Sequence, residues 1–217
     1  MAHLLRLIED HLPPGSGWAR PLASAHRIVY VLEGGVAVQS ESAEHRLAGG
    51  QAARTEGTLA ARAGVDGARL LRFELGHKSP PAPDSGRVVL ERRMDLEPGG
   101  TVLLRCDRVD FAPGGVALPH RHRGGGIRRL LRGQLEVTVA DEPPRVTRPG
   151  DAWFESGRET VLAVAAHAET SFVRVSVLPA EIRGRSSMVY VDPADASRSK
   201  PRTYTVYVDD PISLGPA

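Results

Sequence analysis

The chain has almost no cysteine or lysine, few aromatic side chains and no long apolar run. Cys106 is the single cysteine in 217 residues, which excludes an internal disulfide framework and a zinc site built on several thiolates. It lies in the apolar stretch "TVLLRCDRVDF" and reads as a small core or strand residue rather than a catalytic thiol. Lys78 and Lys200 are the only lysines among 28 basic residues, and 26 acidic residues leave a net charge of +2. With charge this balanced and aromatics at 5%, nucleic acid is not an expected partner. No apolar run approaches the ~20 residues that span a bilayer, so no membrane partner is expected. The opening "MAHLLRLIEDHLPPGSG" lacks a basic segment followed by a long apolar one, and the expected location is the cytoplasm. No helix-turn-helix pattern is found, which argues against a transcription regulator.

What the chain does have is glycine (23 residues) and proline (17 residues), which suits many short strands joined by turns. It also matches itself. "IVYVLEGGVAV" (28–38) lies over "IRRLLRGQLEV" (127–137), with Ile28 on Ile127, Gly34 on Gly133 and Val38 on Val137. Further on, "GGQAARTEG" (49–57) meets "PGDAWFESG" (149–157), and "LLRFEL" (70–75) meets "FVRVSV" (172–177) with Arg72 over Arg174. Three matches in the same order, with a slowly drifting offset, are what a duplicated domain leaves behind.

Both copies read as β-structure, because β-branched and apolar runs are broken by glycine at turns. Strands at this short spacing predict a sandwich or barrel in each copy, an all-β chain of two tandem barrels. "TVLAVAAHAETSFVRVSVL" gives two apolar runs around a polar turn and predicts a hairpin. "HLLRLIEDHL" (3–12), with Leu4, Leu5, Ile8 and Leu12, predicts a short amphipathic helix. The Pro-rich segment 78–86 predicts a linker, with a first domain over 1–77 and a second over 87–217. Two tail pieces, "MVYVD" and "TYTVYVDD", predict strands that cover a sheet edge or pair with a partner chain, and a homodimer is expected.

The chemistry concentrates in "LPHRHRGGGIRRLLRGQLEV" (118–137). Residues two apart in a strand share a face, so His120 and His122 present two imidazoles to one lumen. Gly114, then His120-x-His122, then a strand and Gly133 resemble the first motif of the cupin superfamily. "PGDAWFESG" resembles the start of its second motif. The resemblance covers both halves of the chain and so looks like a bicupin. It implies a small antiparallel jelly-roll barrel in each half. In cupin enzymes a divalent metal sits on two histidines and a glutamate from the first motif and a histidine from the second. The resemblance thus implies one divalent metal, Fe, Mn, Ni or Zn, on His120 and His122, and dioxygenase-, isomerase- or lyase-like chemistry on a small molecule.

The chain departs from that pattern twice. The first-motif glutamate falls at Gly126 or Ile127, and the second-motif histidine falls near Thr160. Two imidazoles are a thin ligand set, so the pair can equally serve without metal, as an acid–base pair or as hydrogen-bonded residues of a binding pocket. In the first copy the same alignment brings Pro21, Ala23 and Ala60 to these positions, and that barrel is expected to be structural or dimerising.

Around the catalytic candidates His120 and His122, the candidate substrate-binding residues are Arg128, Glu155, Thr160 and Arg174. Arg128 shares the parity of the histidines if the glycine run causes no register shift. A guanidinium inside a barrel needs a counter-charge, which Glu155 or an anionic ligand would provide. The expected partner is a small organic ligand, anionic or aromatic. Two functions stay open: a small-molecule enzyme, and a non-catalytic binding or sensor module with a degenerate metal site.

Overall fold

The computed structural model describes residues 2–18, 26–41, 43–77, 86–198 and 201–215. They form two units, Met1–Gly100 with Leu214–Ala217, and Thr101–Ser213. Each is all-β, with only short 3-10 helices at Ala180–Ile182 and Pro193–Ser197 among the described residues.

The first unit holds β1 (Ala2–Leu12), β2 (His26–Ser40), β3 (Glu44–Ala48), β4 (Ala52–Thr55), β5 (Leu59–His77) and β6 (Arg87–Asp95). They pair antiparallel in the order β3-β2-β5-β1-β6, with β4 against β2. Register shifts between Val31 and Glu33 and between Gly34 and Val36 let the long β2–β5 ladder bend over a core of Val29, Val31, Val36, Val38, Leu59 and Leu70. The expected helix over 3–12 is strand β1 instead. "HLLRLIEDHL" carries apolar residues on both parities, and ladders to β5 and β6 bury them on both faces, which overrides the local helical spacing.

A second difference concerns the boundary. Residues 87–95 pair with β1 and belong to the first unit, because Arg87–Asp95 completes the free edge of that sheet. The expected linker over 78–86 lies outside the described residues except for Gly86.

The second unit holds β7 (Thr101–Phe111), β8 (Gly115–His122), β9 (Gly126–Arg132), β10 (Leu135–Val139), β11 (Arg145–Thr147), β12 (Ala152–Glu155), β13 (Val161–Ala165), β14 (Thr170–Pro179), β15 (Met188–Tyr190) and β16 (Arg202–Ser213). Two five-stranded antiparallel sheets result, β11-β10-β13-β8-β15 and β12-β9-β14-β7-β16. Phe111, Leu130, Trp153 and Phe172 from one sheet meet Ala117, Leu135, Val137 and Val161 from the other in a single core. The expected hairpin over 161–179 is not one. Strand β13 pairs with β10 and β8, and β14 pairs with β9 and β7, so the polar turn carries the chain from one sheet to the other. The tail strands close the edges, β15 on β8 and β16 on β7.

The duplication is visible in backbone geometry. Gly34 and Gly133, aligned by sequence, have φ of +74° and +75°. A Cβ at either would lie 2.1 or 2.4 Å from a carbonyl oxygen of the neighbouring strand, so only glycine fits.

Candidate functional site

His120 and His122 end β8, and Arg128 lies on β9. Strand parity turns all three inward, and each is buried. Glu155 ends β12, which pairs with β9 so that Glu155 faces Gly126. The four side chains meet at the floor of the second unit, around a cavity of about 30 Å³, room for about one water.

Hydrogen bonds fix the tautomers. The Nδ1 of His120 is 2.7 Å from the Leu118 carbonyl oxygen, so Nδ1 carries the proton and Nε2 keeps its lone pair. That lone pair faces the Nε2 of His122 at 3.2 Å, which is therefore the protonated nitrogen. Glu155 Oε2, at 3.3 Å, is a second acceptor for the same proton. On its far side His122 Nδ1 is 3.4 Å from Ser187 Oγ, which donates to it.

Charge on the floor is balanced by one pair. Arg128 Nη2 lies 2.7 Å from Glu155 Oε2, and Arg128 Nη1 donates to the Gly126 carbonyl at 2.5 Å. Trp153 Nε1 donates to the other carboxylate oxygen at 2.8 Å. Burial alone would raise the Glu155 pKa, but Arg128, His122 and Trp153 together hold it well below the usual carboxylate range. Burial pulls Arg128 down to about 10 against the attraction of Glu155. It also lowers His122 to about 3, with Arg128 and Arg174 adding repulsion that Glu155 only partly offsets. His120 is lowered for the same leading reason. Both rings are neutral at physiological pH.

Of the two further candidates, one reaches the cavity and one does not. Arg174 lines the cavity wall but is engaged by Asp107 through two hydrogen bonds of 2.7 and 3.0 Å. Thr160 is not brought to the cavity; its hydroxyl accepts from Arg121 Nε at 3.4 Å near the surface. Above the floor opens a wider cleft of about 490 Å³, lined by Arg105, Arg174, Arg202, Tyr190, Tyr204 and Met188 among others. Sequence reasoning missed its tail residues. The alternations Met188–Tyr190 and Arg202–Tyr204, two apart on strands, were the available signal.

The interior of the first unit is not empty of charge. Glu74 accepts from Arg6 and Arg27 at 2.9 Å each and also pairs with Arg72, which binds Asp10 at 2.9 Å. These five buried groups satisfy one another.

The residues present do not fit a resident divalent metal. Among the described residues His120, His122 and Glu155 converge, and the one anion of the three is held by Arg128 at 2.7 Å. Among the described residues no group of three or more histidine, cysteine or acidic side chains is arranged around an ion. Nor does Gly126 merely vacate the place of the family's glutamate. A Cβ there would lie 2.5 Å from the Val175 carbonyl oxygen, so the backbone of β14 has closed that space.

Residues 107–170 match the family model described as a Cupin domain, which supports a place in the cupin superfamily. No curated protein matches the sequence. Among solved structures, the Lactobacillus farciminis oxalate decarboxylase formate complex is 13% identical, with a TM-score of 0.66 over 91% of this chain and 82% of that one. AerE from Microcystis aeruginosa is 13% identical, with a TM-score of 0.59 over 81% and 88%. A Cupin 2 conserved barrel domain protein from Leptotrichia buccalis is 14% identical, with a TM-score of 0.51 over 81% and 84%. At such identities the likeness concerns the fold.

Proposed function

We propose that this two-barrel cupin is a small-molecule enzyme whose reacting centre is the His120–His122–Glu155 floor of the second unit. It would move a proton on a small organic substrate, as isomerases and lyases do. One observation carries this reading: two neutral imidazoles meet through Nε2 atoms at 3.2 Å, with a carboxylate 3.3 Å from one of them. His120 Nε2 is the site that accepts a proton. For that, its lone pair must be freed, and the His122 N–H can turn from His120 to Glu155 Oε2. Arg128 keeps the Glu155 carboxylate ionised, so that it accepts the His122 N–H while His120 carries the proton. No step passes through a metal.

The test is carbon-bound hydrogen exchange. Small carboxylates and phenols that raise the melting temperature are incubated with the protein in deuterium oxide and followed by NMR. Enzymatic incorporation of deuterium that is lost in His120→Ala and His122→Ala supports the reading. Binding without exchange favours a sensor or binding module, for which the small floor volume of about 30 Å³ speaks. We also propose a homodimer, which sedimentation of the full chain would detect.

A further inference from the structure

We infer that the outer cleft of the second unit is a carboxylate-binding subsite centred on Arg202, built by the tail strands. Arg202 is buried, 8% exposed, on β16. Its hydrogen bonds go only to neutral groups: Nε to Tyr204 Oη at 2.7 Å, Nη2 to Tyr190 Oη at 2.8 Å and to Met188 Sδ at 3.5 Å, and Nη1 to the Val116 carbonyl at 3.0 Å. No carboxylate among the described residues pairs with it. That sets it apart from its neighbours, since Arg105 is paired with Asp209 and Arg174 with Asp107, at 2.7 Å each. A buried guanidinium without a counter-charge is costly unless an anion joins it.

The surroundings select among anions. Four arginines and two aspartates line the cleft, an excess of two positive charges that a dicarboxylate balances and a monocarboxylate halves. The Tyr204 ring lies between Arg174 and Arg202, with centroid distances of 5.8 and 5.9 Å, and Tyr190, Met188 and Val206 add apolar wall. Beside apolar surface, the guanidinium suits a carboxylate on an organic body, which takes its one N–H without a partner or replaces one of the neutral acceptors. Arg174, Met188, Arg202 and Tyr204 line both the cleft and the floor cavity. A carboxylate held at Arg202 thus sits over the histidines. The subsite deepens the acid–base reading by naming its substrate class, and it depends on that reading only for the chemistry that follows binding.

Calorimetric titration of the full chain tests it. Benzoate, succinate and citrate are compared with benzamide, the uncharged counterpart of benzoate, and with inorganic phosphate. At least one carboxylate binds, benzamide and phosphate do not, and Arg202→Gln weakens the binding about tenfold or more. Arg202→Lys keeps the charge but not the fork and retains part of the affinity. Tyr204→Phe leaves the guanidinium buried and loosens its aim, so a loss there reads the same subsite if Arg202→Gln does not fold. The inference is overturned if none of the three carboxylates binds, if benzamide or phosphate binds as well as they do, or if the Arg202 and Tyr204 variants titrate like the unaltered protein. A His120→Ala/His122→Ala protein separates the two readings, because it keeps the carboxylate and loses exchange. Binding without exchange in the unaltered protein removes the acid–base reading and leaves the subsite standing.

Discussion

Mild acid should loosen the second unit through one ring. His122 has an ordinary pKa of 6.5 when unfolded and about 3 when folded, because burial opposes its charge. Between those values the unfolded chain binds a proton that the folded chain refuses, so stability falls as pH falls through this window and is fully present above it. Each unit of pKa difference is worth about 1.4 kcal/mol, so the whole window amounts to about 5 kcal/mol. At about pH 5, still above the carboxylate range, about 2 kcal/mol of this is gone, or about 8 °C in melting temperature for a unit of this size. The measurement compares thermal melts of the unaltered protein and His122→Gln from about pH 7 to about pH 5. Groups common to both cancel in the difference, and the variant should show the shallower slope. Parallel slopes would show that the ring is not held neutral, and the described tautomers would fail with it.

Other consequences are equally direct. Glu155→Gln leaves Arg128 buried without its carboxylate and should destabilise the fold by about 3–5 kcal/mol in urea melts, with Arg128→Met/Glu155→Gln recovering much of the loss. The unaltered protein, purified without added metal, should hold far less than one equivalent of Fe, Mn, Ni or Zn. Arg128→Met frees Glu155, so added Zn or Ni should raise the melting temperature of that variant alone. Gly126→Ala should cost about 1–3 kcal/mol or more, because its methyl meets the Val175 carbonyl at 2.5 Å. Cys106 is fully buried with its pKa pushed well up, so thiol reagents should modify it only after unfolding.

Much of the architecture was legible because glycine punctuates it. Gly34, at a register shift within β2, and Gly133, between β9 and β10, hold equivalent positive-φ positions that forbid other residues, so the duplication survives where side chains have diverged. The inward pairing of His120 and His122 follows from strand parity alone. The hairpin over 161–179 was misread because a polar turn between two apolar runs looks the same whether the chain pairs back or crosses to a facing sheet. Strand β1 was misread because its leucines satisfy both periods, and only the distant β5 and β6 decide between them. The buried ion cluster of the first unit and the wall of the cleft escaped for a similar reason. Arg202 reaches the histidines only through a ladder in which it faces Phe111, a pairing that no local pattern encodes.

That ladder ties recognition to folding order. The guanidinium that faces the histidines arrives with β16, after every other strand of its unit has been made, and it is placed only when β16 zips along β7 from Phe111 to Thr101. Pairing across such sequence separation is slow, so β16 is expected to join its sheet late. An acid that engages Arg202 would act as a clasp on this last strand, raising the protection of its amide hydrogens more than those of the inner ladders.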